Sequence, residues 1–374
     1  MEVDKKIIIS LVESAMSADY TYVRRIGNQL VKQFLDQKDV DGAKAIQSLL
    51  RKRGVPLQAS GYAESLPRDS SSRSPLVEES SWPSTPIMLS DEIGLGVNQF
   101  LEDAKNIDLL SKEGISSRLG LLLYGPPGSG KSLLAGHIAA ELKRPLYVAR
   151  LDSLISSKLG ETSKNIRGMF DFIPSKNAVL FIDEMDAIAK LRDDTQELGE
   201  LKRVVNGVLQ GLDSLTDDVV VIGATNHPHL LDSAIWRRFP YKLELGNPIE
   251  QVRQSMWLQF LYMNNPLKLV EAQLLAKISE NLSGADIENI SFAIRRREIL
   301  GKFNLTPAQT ILAVISAVSG KLNFLENKEL DTEDKRKIAL ILQDKGNLTQ
   351  QDIADFIGVT RQMVHRYLKE NEHA

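Results

Sequence analysis

The sequence predicts an α/β fold in which a doubly wound, five-stranded parallel sheet is combined with all-helical segments at both ends of the chain. Between residues 87 and 247, short apolar runs alternate with stretches of helical periodicity, and this alternation is typical of a parallel sheet covered on both faces. From Pro248 onward only helical periodicity remains. The five apolar runs are Leu121–Tyr124, Leu146–Ala149, Val179–Asp183, Val219–Ala224 and Lys242–Leu245.

The composition argues against several classes of protein. The chain of 374 residues is long enough for two or three domains, and it contains no cysteine, which excludes disulfides and thiolate-bound metals. A net charge of −3 gives no overall attraction to nucleic acids or anionic membranes. The apolar run Ile7–Val12 is too short to cross a bilayer, so we expect a soluble, cytoplasmic protein without a membrane span.

The N-terminal region divides into two parts by composition. Residues 1–57 are predicted to form a small helical bundle, because apolar residues recur at helical spacing in three successive segments. This bundle is either a module that recruits a partner or a helical cap packed on the next domain. Residues 58–86 are rich in serine and proline, so we expect a flexible linker. Trp82 is the exception, and it either docks on a neighbouring surface or stays mobile.

A glycine-rich segment, Gly125–Ser132, fits the phosphate-loop pattern G-x-x-x-x-G-K-[ST] and lies between a predicted strand and a predicted helix. Its glycines let successive backbone N–H groups face an anion, and the positive end of the following helix lies at the same place. We therefore predict an ATP site, with Lys131 on the β- and γ-phosphates and the Ser132 hydroxyl on Mg²⁺. The predicted nucleotide contacts are Gly125, Pro126, Pro127, Gly128, Ser129, Gly130, Lys131, Ser132 and Leu133.

Two carboxylates, Asp183 and Glu184, end the apolar run that begins at Val179. Ligands of such folds bind at the carboxyl edge of the sheet, so both acids are expected beside the phosphate loop. Asp183 is predicted to bind Mg²⁺, which prefers oxygen ligands, and Glu184 to act as general base on the attacking water. Asn226 ends the next apolar run and is predicted to orient that water or to contact the γ-phosphate.

Two adjacent arginines, Arg237 and Arg238, precede an apolar residue, Phe239. One interpretation is a solvated helix end. Arginine also suits a transferring phosphoryl group, and it is often supplied by a neighbouring subunit. In that interpretation the site is complete only in an oligomer.

Together these motifs resemble the AAA domain of the AAA+ superfamily over residues 87 to about 300. The motifs are GPPGSGKS at Gly125–Ser132, VLFIDEMDAI at Val179–Ile188, VIGATNHPHLLDSAIWRRF at Val221–Phe239 and SGAD at Ser283–Asp286. The third motif ends in Arg-Arg-Phe, and this ending is similar to that of the group containing spastin, katanin and the ESCRT-disassembling ATPases.

The resemblance implies the sheet order 5-1-4-3-2 and assembly into a hexameric ring. It divides the central region into an ATPase subdomain, residues 87–247, and an α-helical lid, residues 248–320. It implies Asp183 and Glu184 as the metal-binding and catalytic acids and Asn226 as a sensor. It further implies Arg237 and Arg238 as fingers acting in trans, Gly284 and Ala285 as lid contacts to the nucleotide, and Asp91, Ile93 and Gly94 as part of an adenine-contacting loop.

Members of this family that thread polypeptide carry an aromatic–hydrophobic–Gly pore loop after the second strand. The matching segment here is Lys158-Leu159-Gly160, in which a lysine replaces the aromatic residue. An ammonium group offers less apolar contact area than a ring. We therefore expect weaker gripping of an arbitrary chain, or an acidic or specific target; an ordinary surface loop is the alternative.

Residues 331–374 have a helix-turn-helix pattern, which the resemblance does not explain. Gly358 permits the tight turn. The segment contains seven Lys and Arg against eight Asp and Glu, whereas a DNA reader is usually more basic. Contact with DNA and docking to a protein therefore remain two open interpretations. The residues suited to phosphates and base edges are Arg361, His365, Arg366 and Lys369.

Three functions from different classes fit these features. The leading hypothesis is an ATP-driven ring that remodels or regulates a protein partner, such as a separately encoded protease, recruited through residues 1–57. The alternative is an ATP-dependent DNA-binding switch that acts through the helix-turn-helix. The third is a stoichiometric regulator that holds a partner enzyme inactive. Continuous hydrolysis that is stimulated by a target would distinguish the first hypothesis from the other two.

Overall fold

The computed structural model describes most of the chain from Leu66 onward and eight positions near the N-terminus. The chain divides into two compact units, Met1–Leu66 and Pro67–Ala374. In the first unit Ile26 and Leu30 are buried, and most of the predicted bundle lies outside the described residues. The described residues are 26, 30, 31, 34, 39, 42–44, 66–68, 75–115, 118–151, 161–187, 198–301, 305–318, 329–346 and 348–372.

The second unit contains a six-stranded sheet. Its strands are β1 (Glu78–Ser80), β2 (Gly120–Tyr124), β3 (Leu146–Arg150), β4 (Val179–Asp183), β5 (Val220–Thr225) and β6 (Tyr241–Glu244). Their order is β1-β3-β4-β5-β2-β6, and strands β2 to β6 are parallel. Because β2 to β6 are the five predicted strands, the predicted order 5-1-4-3-2 is confirmed.

Helices cover the sheet. α1 and α3 pack on one face through Phe100, Leu134 and Ile138, which share a buried cluster with Leu121 and Leu123 of β2. α4 and α5 pack against each other. The helices of this part are α1 (Asp91–Lys105), α2 (Ile107–Lys112), α3 (Lys131–Glu141), α4 (Glu161–Phe172), α5 (Leu198–Ser214) and α6 (Ser233–Trp236).

Part of the predicted linker has regular structure, because residues 78–80 form an antiparallel edge strand on β3. Further along, the indole Nε1 of Trp82 donates a hydrogen bond to the Arg144 carbonyl oxygen at 3.1 Å. Pro83 lies over Gly136 of α3, where a Cβ would be only 2.8 Å from the proline Cδ. The free backbone groups of a sheet edge can order a short extended segment that has no core of its own.

In the described residues after the sheet there are seven α-helices, and the four of the predicted lid share one hydrophobic core with the three of the C-terminal helix-turn-helix. Trp257, Ile290 and Val314 belong to the same buried cluster as Leu342 and Tyr367. Residues 248–320 and residues 331–374, which the sequence predicts as separate domains, thus share one hydrophobic core. The helices are α7 (Glu250–Phe260), α8 (Leu269–Ile278), α9 (Gly284–Ile299), α10 (Pro307–Val318), α11 (Thr332–Asp344), α12 (Gln350–Ile357) and α13 (Arg361–Glu372).

The helix-turn-helix has the tight turn at Gly358 that the sequence predicts. The Thr349 side chain and Asp352 form a reciprocal capping box at the start of α12. Gly358 ends α12 with φ +72°, a left-handed conformation that favours glycine. Within the described ranges, no helix combines the length and apolar character needed to cross a membrane.

Candidate functional site

The loop between β2 and α3 is shaped by glycines. Gly125, Gly128 and Gly130 all have positive φ, at +144°, +75° and +94°. A Cβ at Gly125 would lie 2.0 Å from the Leu245 carbonyl oxygen, so only glycine fits there. α3 begins at Lys131, directly after the loop, and its N-terminal N–H groups add to the positive potential. The arrangement can bind an anionic group such as a phosphate.

Lys131 is folded back onto this loop. Its Nζ donates hydrogen bonds to the carbonyl oxygens of Gly125 at 2.9 Å and Pro126 at 2.8 Å. Burial lowers the pKa of its ammonium group, and the negative charges of Asp183 and Asp186 oppose that shift. A phosphate would offer Nζ charged oxygens in place of neutral carbonyls, which is a stronger interaction.

Two oxygen donors lie together at the predicted metal site. Ser132 Oγ is 3.5 Å from Asp183 Oδ2, and both side chains are accessible to solvent. Within the described part of the chain, no cluster of three or more His, Cys, Asp or Glu could hold a metal by itself. Mg²⁺ commonly takes one or two protein oxygens and completes its shell with water and substrate phosphates, so this pair fits Mg²⁺ bound together with a nucleotide.

Glu184 has an unusual backbone conformation directly after β4. Its φ is +55°, in the left-handed region that costs a non-glycine residue about 1–2 kcal/mol. Its N–H donates to Asp183 Oδ1 at 2.8 Å, and its carboxylate Oε1 is 3.7 Å from Nη2 of Arg150. Arg150 was not predicted from the sequence as a site residue, although it directly follows the predicted strand Leu146–Ala149. In the sheet it lies opposite Asp183.

Asp186, an acid that was not predicted as a site residue, is almost fully buried. Its Oδ1 accepts hydrogen bonds from Thr225 Oγ1 at 3.0 Å and from the Asn226 N–H at 3.2 Å. Asp186 therefore connects the turn after β4 to the end of β5 and fixes the backbone of Asn226. The available signal was a third acid two residues after Glu184, at the edge where ligands bind.

The helical lid contacts the phosphate loop directly. The Ala285 N–H donates to the Gly128 carbonyl oxygen at 3.2 Å. Ser283 caps α9 in a reciprocal capping box with Asp286, and a Cβ at Gly128 would lie 2.7 Å from Ser283 Oγ. A Cβ at Gly284 would lie 3.6 Å from the Gly128 carbonyl oxygen. The structure thus brings the two predicted lid residues to the predicted loop.

The predicted adenine-contacting loop is not a loop. Asp91, Ile93 and Gly94 lie in the first turns of α1, and the Gly94 N–H donates to the Ser90 carbonyl oxygen at 2.8 Å. Ser90 is the N-cap, and two acids follow it in the first turn, where they favour a helix start. Ile93 packs against the core of the sheet.

The two predicted arginine fingers differ in their surroundings. Arg238 forms a bidentate pair with Asp213, with Nε to Oδ1 at 2.8 Å and Nη2 to Oδ2 at 3.0 Å. Arg118 Nη1 also donates to Asp213 Oδ1, at 2.6 Å. Hydrogen bonds from Arg238 and then Arg118 lower the pKa of Asp213 to about 2. Arg237 is exposed, and within the described ranges its guanidinium makes no hydrogen bond or ion pair.

The four basic candidates of the helix-turn-helix share the outer face of α13. Val364 and Tyr367 of this helix are buried in the core. Residues 361–369 contain three Lys and Arg and no acid, although residues 331–374 as a whole are slightly acidic. The acids of the segment lie at α11, on α12 and beyond Lys369, so the exposed part of residues 361–369 carries only positive charge. The exposed basic side chains are Arg361, His365, Arg366 and Lys369.

The predicted pore loop, Lys158-Leu159-Gly160, lies outside the described residues, and so do most of residues 1–57. Both stay predictions from the sequence.

Two family models match the chain. Residues 121–247 match the ATPase family associated with various cellular activities, abbreviated AAA, and this range contains the phosphate loop and both acids. Residues 335–370 match a winged helix-turn-helix DNA-binding family. In the described part of that range all secondary structure is helical.

Curated relatives support the first match. A proteasome-activating nucleotidase of Methanococcus maripaludis is 32% identical over 313 residues, which cover 78% of this chain and 72% of that protein. An uncharacterized AAA family ATPase of Sinorhizobium fredii is 41% identical over 190 residues, 51% of this chain and 57% of its own length. A putative 26S proteasome regulatory subunit homolog of Methanothermobacter thermautotrophicus is 38% identical over 174 residues. The matches to these last two span only about half of each relative, 57% and 46%.

Proposed function

Because this chain belongs to the AAA family of ATPases, we propose that it hydrolyses ATP at the phosphate loop and uses the energy to remodel or regulate a protein partner. The observation that carries the proposal is the convergence on one loop of Lys131, the Ser132–Asp183 pair, Glu184 and the lid residue Ala285. Together these groups can bind the phosphates, hold the metal and accept a proton from water, which are the tasks that ATP hydrolysis requires.

Each residue near the loop has a separate task in the proposed reaction. The loop N–H groups and Lys131 bind the phosphates, while Ser132 and Asp183 would hold Mg²⁺, which neutralises phosphate charge when bound. Glu184 accepts a proton from the attacking water, and Asn226 orients that water. Asp186 keeps the Asn226 backbone in place through its hydrogen bond.

We further propose that the site is completed by a neighbouring copy of the chain in a ring, a hexamer by the family resemblance. Of the two candidate fingers, the surroundings favour Arg237 as the group that reaches the neighbour's phosphate. Arg238 already has its guanidinium paired with Asp213 of the same chain. Arg237 is exposed, and an exposed guanidinium can be presented to another subunit.

The nature of the partner is inferred from the relatives. Two of them are named as a proteasome-activating nucleotidase and a proteasome regulatory subunit homolog, which supports a regulatory role toward a protein partner, such as a protease. Residues 1–57 would recruit that partner, and Lys158-Leu159-Gly160 would contact a substrate chain in the ring's pore.

Two substitutions test the catalytic assignment. Glu184→Gln should retain ATP binding and lower the hydrolysis rate about 100-fold or more, because the general base is lost. Lys131→Ala should lose ATP binding. Both are measured by phosphate release and by equilibrium binding of a fluorescent ATP analogue.

The matched control is Glu102→Gln, the same chemical change at an exposed position on α1, which should hydrolyse ATP at the wild-type rate. A Glu184→Gln protein that turns over ATP normally would refute the role of Glu184 as general base.

A second candidate function is binding of duplex DNA through α13. It is favoured by the local charge of α13, since residues 361–369 expose Arg361, Arg366 and Lys369 and contain no acid. Phosphate contacts depend on the local charge of the binding face more than on the net charge of a segment. The slightly acidic total of residues 331–374 therefore does not argue against DNA.

A further inference from the structure

We propose that nucleotide at the phosphate loop controls the affinity of this protein for duplex DNA, because the helical lid and the helix-turn-helix move as one body. The inference rests on both functions proposed above and adds the structural route that connects them. It concerns an oligomer in which several copies of α13 face the same duplex.

The first step of the route is the shared core. α10 of the lid packs against α11 and α12 of the helix-turn-helix, and Ile311, Leu342 and Ile353 are buried in the same cluster. An ion pair between Lys345 Nζ and Glu280 Oε2, at 3.6 Å, also connects α11 to the residues after α8. Close-packed cores resist continuous deformation, so a rotation of the lid carries α13 with it.

The second step is the contact between the lid and the phosphate loop. Gly128 accepts the hydrogen bond from Ala285, and a Cβ on Gly128 would overlap Ser283. Phosphates would be bound by N–H groups of this same loop. A ligand that changes the position of Gly128 therefore acts on the first turn of α9, and through α9 on the whole lid.

The third step is the spacing of DNA-binding faces. Copies of α13 in an oligomer are carried by their own lids, so the lid angle sets the distance between neighbouring basic faces. Half-sites for helix-turn-helix dimers are separated by a helical turn of DNA or multiples of it, so a duplex that contacts two copies is sensitive to this distance. A duplex long enough for only one copy is not.

The test uses the full chain and fluorescence anisotropy of labelled duplexes without nucleotide, with ADP and with a slowly hydrolysed ATP analogue. For a duplex of about four helical turns we expect affinities that differ at least ~5-fold between nucleotide states, and for a duplex of about one turn we expect less than ~2-fold. A saturating concentration of the long duplex should change the protein's affinity for the ATP analogue. The factor should equal that by which the analogue changes the affinity for the duplex, since coupling is reciprocal.

Variants on two helices separate the DNA face from general effects of charge. The double substitution Arg361→Ala and Arg366→Ala should weaken duplex binding and remove the effect of DNA on nucleotide affinity. Lys337→Ala removes a positive charge from α11, and it should leave both properties unchanged. In the part of the chain that the structure describes, this lysine forms only an exposed pair with Glu333.

Three results would overturn the inference. Equal long-duplex affinities in all nucleotide states would exclude the coupling, and an equally large effect on the short duplex would exclude the spacing route. Continued ATP hydrolysis by a protein that binds neither duplex at low salt would leave the ATPase proposal standing and assign α13 to protein docking. If the protein does not hydrolyse ATP but nucleotide still changes its affinity for the long duplex, the proposed ATPase function is refuted and the coupling stands.

Discussion

At the scale of single residues, the adjacent arginines after α6 illustrate how surroundings separate two identical side chains. Arg238 is held by Asp213, whose pKa is lowered to about 2 by its two arginine partners. That carboxylate is charged throughout the physiological range. The pair fixes the segment after α6 to the end of α5, and this fixed segment presents Arg237.

We therefore predict different outcomes for the two alanine substitutions. Arg237→Ala should reduce ATP turnover of the oligomer about 10³-fold or more, the effect of removing a finger that acts in trans, without changing the free energy of unfolding. Arg238→Ala should instead lower the free energy of unfolding, because Asp213 keeps only Arg118. Steady-state hydrolysis and urea unfolding measure the two effects.

Arg167→Ala is a suitable control, since this exposed residue on α4 forms only a weak pair with Asp171 at 3.7 Å. Equal loss of turnover in both finger variants, with equal stability, would contradict the division of roles between Arg237 and Arg238.

At the scale of elements, α5 carries two glycines one turn apart in different surroundings. A Cβ at Gly207 would meet Ile166 at 3.7 Å, an ordinary contact, whereas a Cβ at Gly211 would lie 2.0 Å from the Phe170 ring. Gly211 therefore permits the close approach of α4 and α5. Gly207 contributes no such space.

Gly207→Ala should raise the free energy of unfolding by about 0.5–1 kcal/mol, because alanine favours a helix over glycine. Gly211→Ala should lower it by about 1–3 kcal/mol through overpacking against Phe170. Urea unfolding followed by circular dichroism measures both, and each variant is the control for the other. Stabilisation by both substitutions would show that α4 can move away from α5 at little cost.

At the scale of the whole molecule, the sequence predicted structural elements better than it predicted contacts between residues far apart in the chain. Five parallel strands and the helix-turn-helix boundaries follow from periodicity, turn residues and caps, which act over a few positions. The pairs Arg150–Glu184 and Arg238–Asp213 join residues far apart in the chain, and no local pattern indicates them. The shared core of the lid and the helix-turn-helix was not predicted for the same reason. The apolar face of a helix shows that the helix is packed, but not which other helix it packs against.

The edge strand β1 has a consequence for where this protein can be shortened. Composition places the start of the ATPase region at residue 87, but a protein that begins there would leave the β3 edge uncovered over residues 146–148. An open edge is a template for pairing with another molecule. We expect such a truncation to aggregate in light scattering on warming, while one that begins at Pro75 stays dispersed. Residues 78–80, which lie in a segment that composition predicts to be a linker, thus prevent the β3 edge of one molecule from pairing with another copy of the chain.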